Sequence, residues 1–161
     1  MNKLVTFLLS VFFATSLNAQ TYIYSNEHTY FADMLCNVQG GSVIPGKSTM
    51  WSDAIYTTKN NKIFKGFSTS TFDILYTMNE GKVYVGDSGF SFDVVYTFRN
   101  GKVYKGDSTM LMDCIYTYDI NSSKLYKGDS TFGIDALLFI QGDILSSSEL
   151  ISVLLALKMV E

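Results

Sequence analysis

Residues 66–85, GFSTSTFDILYTMNEGKVYV, align without a gap on residues 86–105, GDSGFSFDVVYTFRNGKVYK. Working outward from this pair, Gly46 to Lys65 fits the same frame, and 106–127 fits it with two residues added near Asn121-Ser122-Ser123. Residues 128–147 are a degenerate last copy and Asn26 to Pro45 a divergent first one. The aspartates Asp33, Asp53, Asp73, Asp93, Asp113 and Asp135 mark the register. Tyr22-Ile23-Tyr24 falls in line with Val83-Tyr84 and Val103-Tyr104, so the repeats begin almost at the start of the mature chain. A fixed period of this kind is the signature of a repeat architecture, in which one unit cannot bury its apolar face alone.

Within a unit the local signals are β. Asp73-Ile74-Leu75-Tyr76-Thr77 and Lys82-Val83-Tyr84-Val85 are short runs of β-branched and aromatic residues. Glu80-Gly81 or Asn100-Gly101 stands between them, where glycine supplies the positive φ of a tight turn. Gly86-Asp87-Ser88 then breaks the chain before the next unit. The expected fold is all-β, with two strands per 20-residue unit, six strands of the first kind and seven of the second. Simple alternation puts Leu75 and its equivalents on one face and Tyr76 and its equivalents on the other. Two stackings satisfy this pattern. One is a β-solenoid; the other is a meander of stacked hairpins forming an open sheet or a closed ring.

Three segments are expected. Residues 1–19 combine Lys3, an apolar run from Leu4 to Ala14 and Leu17-Asn18-Ala19, which is the layout of a secretory signal peptide. Its loss removes one base and no acid, taking the net charge from -3 to -4. No later stretch is long and apolar enough to span a bilayer. Residues 20–146 form the repeat array. Residues 147–161 form a short helix opened by the capping box Ser146 to Glu149. Leu150, Ile151, Leu154, Leu155 and Leu157 make its apolar face, leaving Glu149, Ser152 and Ala156 as an outer stripe. Such a helix is expected to cap the exposed edge of the last unit.

Composition narrows the chemistry. Mild acidity gives no basic patch for nucleic acid, and one histidine with two distant cysteines supplies too few ligands for zinc. Asp87, Ser88 and Asp93 offer hard oxygens suited to calcium, but calcium loops gather several carboxylates and each unit here has few. No metal or cofactor is therefore expected. Asp53, Asp73, Asp93 and Asp113 are read as structural acceptors where turns enter strands. Catalysis has little to stand on: His28 occupies the column of the turn serines, and Gly86-Asp87-Ser88-Gly89 lacks the spacing of a nucleophile elbow. No enzyme is expected. The tyrosine column is first expected to pack; if one face of the array binds a ligand, Tyr56, Tyr76, Tyr96 and Tyr116 are the residues that do it. Lys82, Lys102 and Lys124 are expected to be solvated. Cys36 and Cys114 stand three and one residues past their aspartates, which alternation places on one face, four units apart. In a linear stack that separation exceeds the reach of a disulfide, so two free, buried thiols are expected.

At GKVYKGDST (101–109) and SFDVVYT (91–97) the array resembles short tandem repeats of secreted proteins from Gram-negative bacteria, a group that brings no activity with it. The Tyr-Thr-x-x-x-Gly-Lys-x-Tyr stretch is also similar to the hairpins of choline- and glucan-binding repeats, without their paired tryptophans. The resulting expectation is an exported, non-catalytic repeat protein, periplasmic or at the cell surface, that binds or scaffolds a glycan or protein through its repeat face. The alternative is a secreted effector or inhibitor aimed at one protein, and behind it a calcium-stabilised surface element.

Overall fold

The computed structural model describes residues 20–160; the expected signal peptide, 1–19, lies outside them. Twelve strands form a closed barrel in which every neighbouring pair is antiparallel. They are β1 (Gln20–Tyr24), β2 (Met34–Gln39), β3 (Ser42–Pro45), β4 (Tyr56–Lys59), β5 (Lys62–Lys65) and β6 (Ile74–Asn79). The circuit continues with β7 (Lys82–Val85), β8 (Val94–Arg99), β9 (Lys102–Lys105), β10 (Cys114–Asp119), β11 (Lys124–Lys127) and β12 (Ala136–Gln141). One helix, α1 (Ser147–Ala156), follows. The solenoid is thereby excluded and the closed meander stands.

The turns explain why. Glu80-Gly81 and Asn100-Gly101 have φ of 49° and 79°, and of 51° and 75°. Two successive positive φ values make a two-residue hairpin turn whose twist matches the flanking strands. Each first strand is therefore bound to fold back on its own second strand, as Tyr76↔Val85 and Asn79↔Lys82 show. A solenoid would need the two strands to diverge into different layers.

Six strands of each kind are present, not six and seven. β1 pairs with β12 through Tyr22↔Gln141, Ile23↔Ile140 and Tyr24↔Phe139. This is the same register that the covalent hairpins use, so β1 is the second strand of the sixth hairpin and residues beyond Gln141 contribute none.

The expected face assignment fails at a repeated bulge. Tyr84 pairs with Val94 and Val83 with Tyr96, so Val95 is an extra residue without a partner. The same shift recurs at Leu35, Leu75, Ile115 and Leu137. An extra residue reverses the alternation beyond it. Tyr76 and its equivalents therefore point inward beside Val83 and its equivalents, rather than opposite the aliphatics. Tyr84, Tyr104 and Tyr126 are buried on the outer wall with Val94, Cys114 and Ala136 beside them. Cys36 sits in the inner core and Cys114 on the outer wall, both free and buried. Opposite faces keep them apart, not the length of a linear stack.

The helix does not cap an edge, because a closed barrel has none. About eight strands make a barrel that side chains alone can fill; twelve leave a wider lumen. α1 occupies it. Leu150, Ile151, Val153 and Leu154 have no exposed surface and join one core with Ile23, Val43, Ile63, Val83, Val103 and Leu125 from around the wall. A helix apolar on nearly all sides is suited to burial on all sides. Two of the three residues of the expected outer stripe, Ser152 and Ala156, are also inside. Ser152 is fully buried, donates to the Ser148 carbonyl at 2.8 Å and receives the Thr58 hydroxyl at 2.8 Å. Ala156 packs against the core. Ser146 and Glu149 form the capping box, and Ser147 and Ser148 lie by the hairpin turn at Asn79-Glu80-Gly81. The helix then runs toward the opposite end of the barrel, where the loops between hairpins lie.

Candidate functional site at the loop end of the barrel

Six loops join each hairpin to the next, at 25–33, 46–53, 66–73, 86–93, 106–113 and 128–135. Five are held by one device. The Ser hydroxyl donates to the closing Asp at 2.5 Å for Ser48 and Asp53, 2.6 Å for Ser68 and Asp73, and 2.5 Å for Ser108 and Asp113 and for Ser130 and Asp135. Ser88 and Asp93 make the same bond. Each serine oxygen also accepts the backbone N–H two residues on, as Phe90 gives to Ser88 at 3.2 Å. In the first loop His28 replaces the serine, and its ring stacks on Tyr30. Thr57, Thr77, Thr97 and Thr117 donate to the carbonyls of Gly66, Gly86, Gly106 and Gly128, folding each loop back over the wall and over the outer aromatic beneath. Among the described residues no group of three or more His, Cys, Asp or Glu is placed to hold a metal ion.

The lysines beside the turns are partly exposed, and each is also paired with an acid. Lys62 pairs with Asp87 at 2.6 Å, Lys82 with Asp107 at 2.8 Å, Lys102 with Asp129 and Lys124 with Glu27. Each pair ties one hairpin to the loop of the next. The last runs from β11 past β12 to the loop after β1, and so crosses the seam between β12 and β1. A lysine followed by an aspartate 25 residues later, or 27 across the two-residue insertion, is the sequence signal for the first three.

The four tyrosines proposed from the sequence are brought together. Tyr56, Tyr76, Tyr96 and Tyr116 stand at equivalent inward positions of β4, β6, β8 and β10, all packed on the core. Cys36 and Leu138 hold that position in β2 and β12, so the tyrosines form an arc over four of six hairpins. Burial pushes the Tyr76 hydroxyl above the usual tyrosine range, and neighbouring Tyr96 and Tyr56 add to it. Burial and then Tyr96 do the same to Tyr116. These hydroxyls are therefore protonated donors throughout the neutral range. Tyr116 gives its proton to the Met159 carbonyl at 2.8 Å.

Beside this arc opens a cavity of about 480 Å³, bounded by Tyr96, Tyr116, Val95 and Ile115 of the wall and by Lys158, Met159 and Val160 beyond the helix, with Lys105 opposite Tyr96 on β9. Its volume lies in the range of small-ligand sites. Val95 and Ile115 are the bulge residues, which sequence alternation had set on the other face from the tyrosines. The bulge brings both kinds to one cavity.

The loops carry a second feature that the sequence reading missed. Phe72, Ile134, Met112 and Phe92 are 98%, 94%, 86% and 81% exposed at the residue before the closing aspartate. A bulky apolar residue recurring inside a Ser- and Gly-rich turn is the signal that was present.

Among the described residues no helix is long and apolar enough to cross a membrane. No curated protein and no solved structure matches the chain. A family model described as a 6-fold beta flower protein matches residues 23–154, which takes in eleven complete strands, all but the first three residues of β1 and most of the helix. Six equivalent hairpins agree with a six-fold β description, and the chain belongs to the 6-fold beta flower protein family.

Proposed function

We propose that this is an exported, non-catalytic binding protein that receives its ligand at the loop end of the barrel, between the tyrosine arc and the end of the helix. The observation that carries this reading is the convergence of Tyr96, Tyr116, Lys105 and Lys158 on one open cavity of ligand size. Tyrosine faces accept the C–H face of a sugar ring or an apolar side chain, and their hydroxyls add hydrogen bonds. The helix fills the middle of the inner wall, and the mouth leaves the tyrosine arc accessible. A glycan is the favoured ligand. Screening the mature protein on a glycan array, followed by Tyr96→Ala and Tyr116→Ala, tests it. Loss of the hits in both variants, with the fold intact by circular dichroism, is expected; hits that survive both substitutions overturn the site.

A second reading, a protein partner gripped by the loops, is favoured by the exposed Phe72, Phe92, Met112 and Ile134. Apolar anchors on a rigid frame are the usual core of a protein interface. Replacing these four by serine is expected to abolish a single-partner pull-down under this reading and to leave glycan binding untouched.

A further inference from the structure

Two ammonium groups, those of Lys105 and Lys158, stand at the mouth. Lys62, Lys82, Lys102 and Lys124 on the outer wall each have a carboxylate. Lys105 and Lys158, which line the cavity, have no ion pair among the described residues.

Lys158 is also held in an unusual conformation. The Lys158 N–H bonds to the Leu155 carbonyl at 3.0 Å and the Met159 N–H to the Leu154 carbonyl at 2.9 Å. These two bonds close the helix in a Schellman motif, whose left-handed position is usually glycine. Lysine occupies it here with φ of 55°. A side chain in that region is strained, and strain retained beside a cavity points to use of the side chain. The helix C-terminus attracts a cation on its own account, but that attraction is met equally well from the last helical turn, where no strain is needed.

We infer that the mouth recognises an acidic saccharide, its carboxylate held between Lys105 and Lys158 and its ring against Tyr96 and Tyr116. This rests on the reading of the mouth as a glycan site and adds the charge of the ligand. Val95 and Ile115 supply the apolar floor beside the rings.

The test uses trigalacturonate and its fully methyl-esterified form, which share rings and linkages and differ in charge. Binding is followed by titration calorimetry and by the NMR methyl signals of Val95 and Ile115. Trigalacturonate is expected to move these methyls and to bind at least about tenfold tighter than the ester, with an advantage that shrinks as salt is raised. Lys105→Gln and Lys158→Gln are each expected to lower its affinity about tenfold. Lys158→Gly is expected to raise the melting temperature while weakening binding, a combination that a merely structural lysine would not produce. Equal binding of acid and ester, or binding of the acid that both glutamine variants retain, overturns the acidic ligand and leaves the mouth as a neutral glycan site. No movement of the methyls with either sugar also overturns the inference. The mouth reading falls with it only if hits from the glycan array leave the same methyls unmoved.

Discussion

The hairpin β6–β7 and the hairpin β12–β1 have the same register and the same inward-facing positions, yet only the first is joined by a peptide turn. In β6–β7, Met78 faces Val83 and Asn79 faces Lys82, across Glu80-Gly81. In β12–β1, Ile140 faces Ile23 and Gln141 faces Tyr22, with 118 residues of chain between Tyr22 and Gln141 and no turn at all. What replaces the turn is packing and one glycine. Ile23 is fully buried in the core, and Gly142, at φ of 121°, lets the chain leave β12 so close to Gln20 that a Cβ would lie 2.4 Å from its carbonyl oxygen. The comparison teaches that the turns make local hairpins, while the ring depends on a seam that forms only when both ends of the array are in place.

The largest expected effect comes from attacking that seam. Ile23→Asp places a carboxylate without a partner in the core, and the cost should be about 4 kcal/mol or more. Urea denaturation should show a large loss of midpoint. If β1 is dispensable for closure, the midpoint will scarcely move.

The next prediction sharpens the contrast between the joints. Gly81 has φ of 79°, and a Cβ there would lie 2.5 Å from the Phe98 carbonyl oxygen of the adjacent hairpin. Gly81→Ala should cost about 2 to 3 kcal/mol from the combined strain and clash. Gly142→Ala, with an equally close carbonyl, should cost a similar amount by the same denaturation assay. A much smaller loss at Gly142 would show that the seam yields where the covalent turn does not.

The smallest effect belongs to the ion pair that crosses the seam, Lys124 with Glu27. Lys124 holds the Glu27 carboxyl below its ordinary value of 4.5 by a hydrogen bond and by its charge. A carboxyl depressed in the folded state lends stability above its unfolded value and loses it as pH falls through the folded value. Lys62 holds Asp87 down in the same way. The melting temperature should therefore fall as pH drops below about 4.5. Glu27→Gln should flatten part of that fall and change the neutral-pH melting temperature little, because the pair is exposed and screened by salt. A large neutral-pH loss would show the pair to be a principal clasp of the ring.

The candidate site was half legible. Tyr56, Tyr76, Tyr96 and Tyr116 stand in one column by count alone, and their assembly into an arc required only that the units be equivalent. Lys105 and Lys158 were not legible as partners. One lies on β9 and the other beyond the helix, and only threading the helix through the lumen brings them to one cavity. Val95 and Ile115 were assigned to the wrong face because a run such as Val94-Val95-Tyr96 shows no break in its apolar character. The extra residue of a bulge is visible only against the strand it pairs with.

By itself the sequence determined the 20-residue unit, the strand and turn positions, the capping box and the equivalence of Tyr22-Ile23-Tyr24 with later strands. These follow from backbone preferences and periodicity over a few residues, which each unit carries whole. Only the tertiary structure decided that six hairpins close into a barrel, that β1 completes the last of them, and that the helix fills the lumen instead of covering an edge. Closure depends on twist and tilt accumulated over every hairpin, and the lumen that draws the helix in exists only once the ring is closed. No local stretch of residues encodes either quantity.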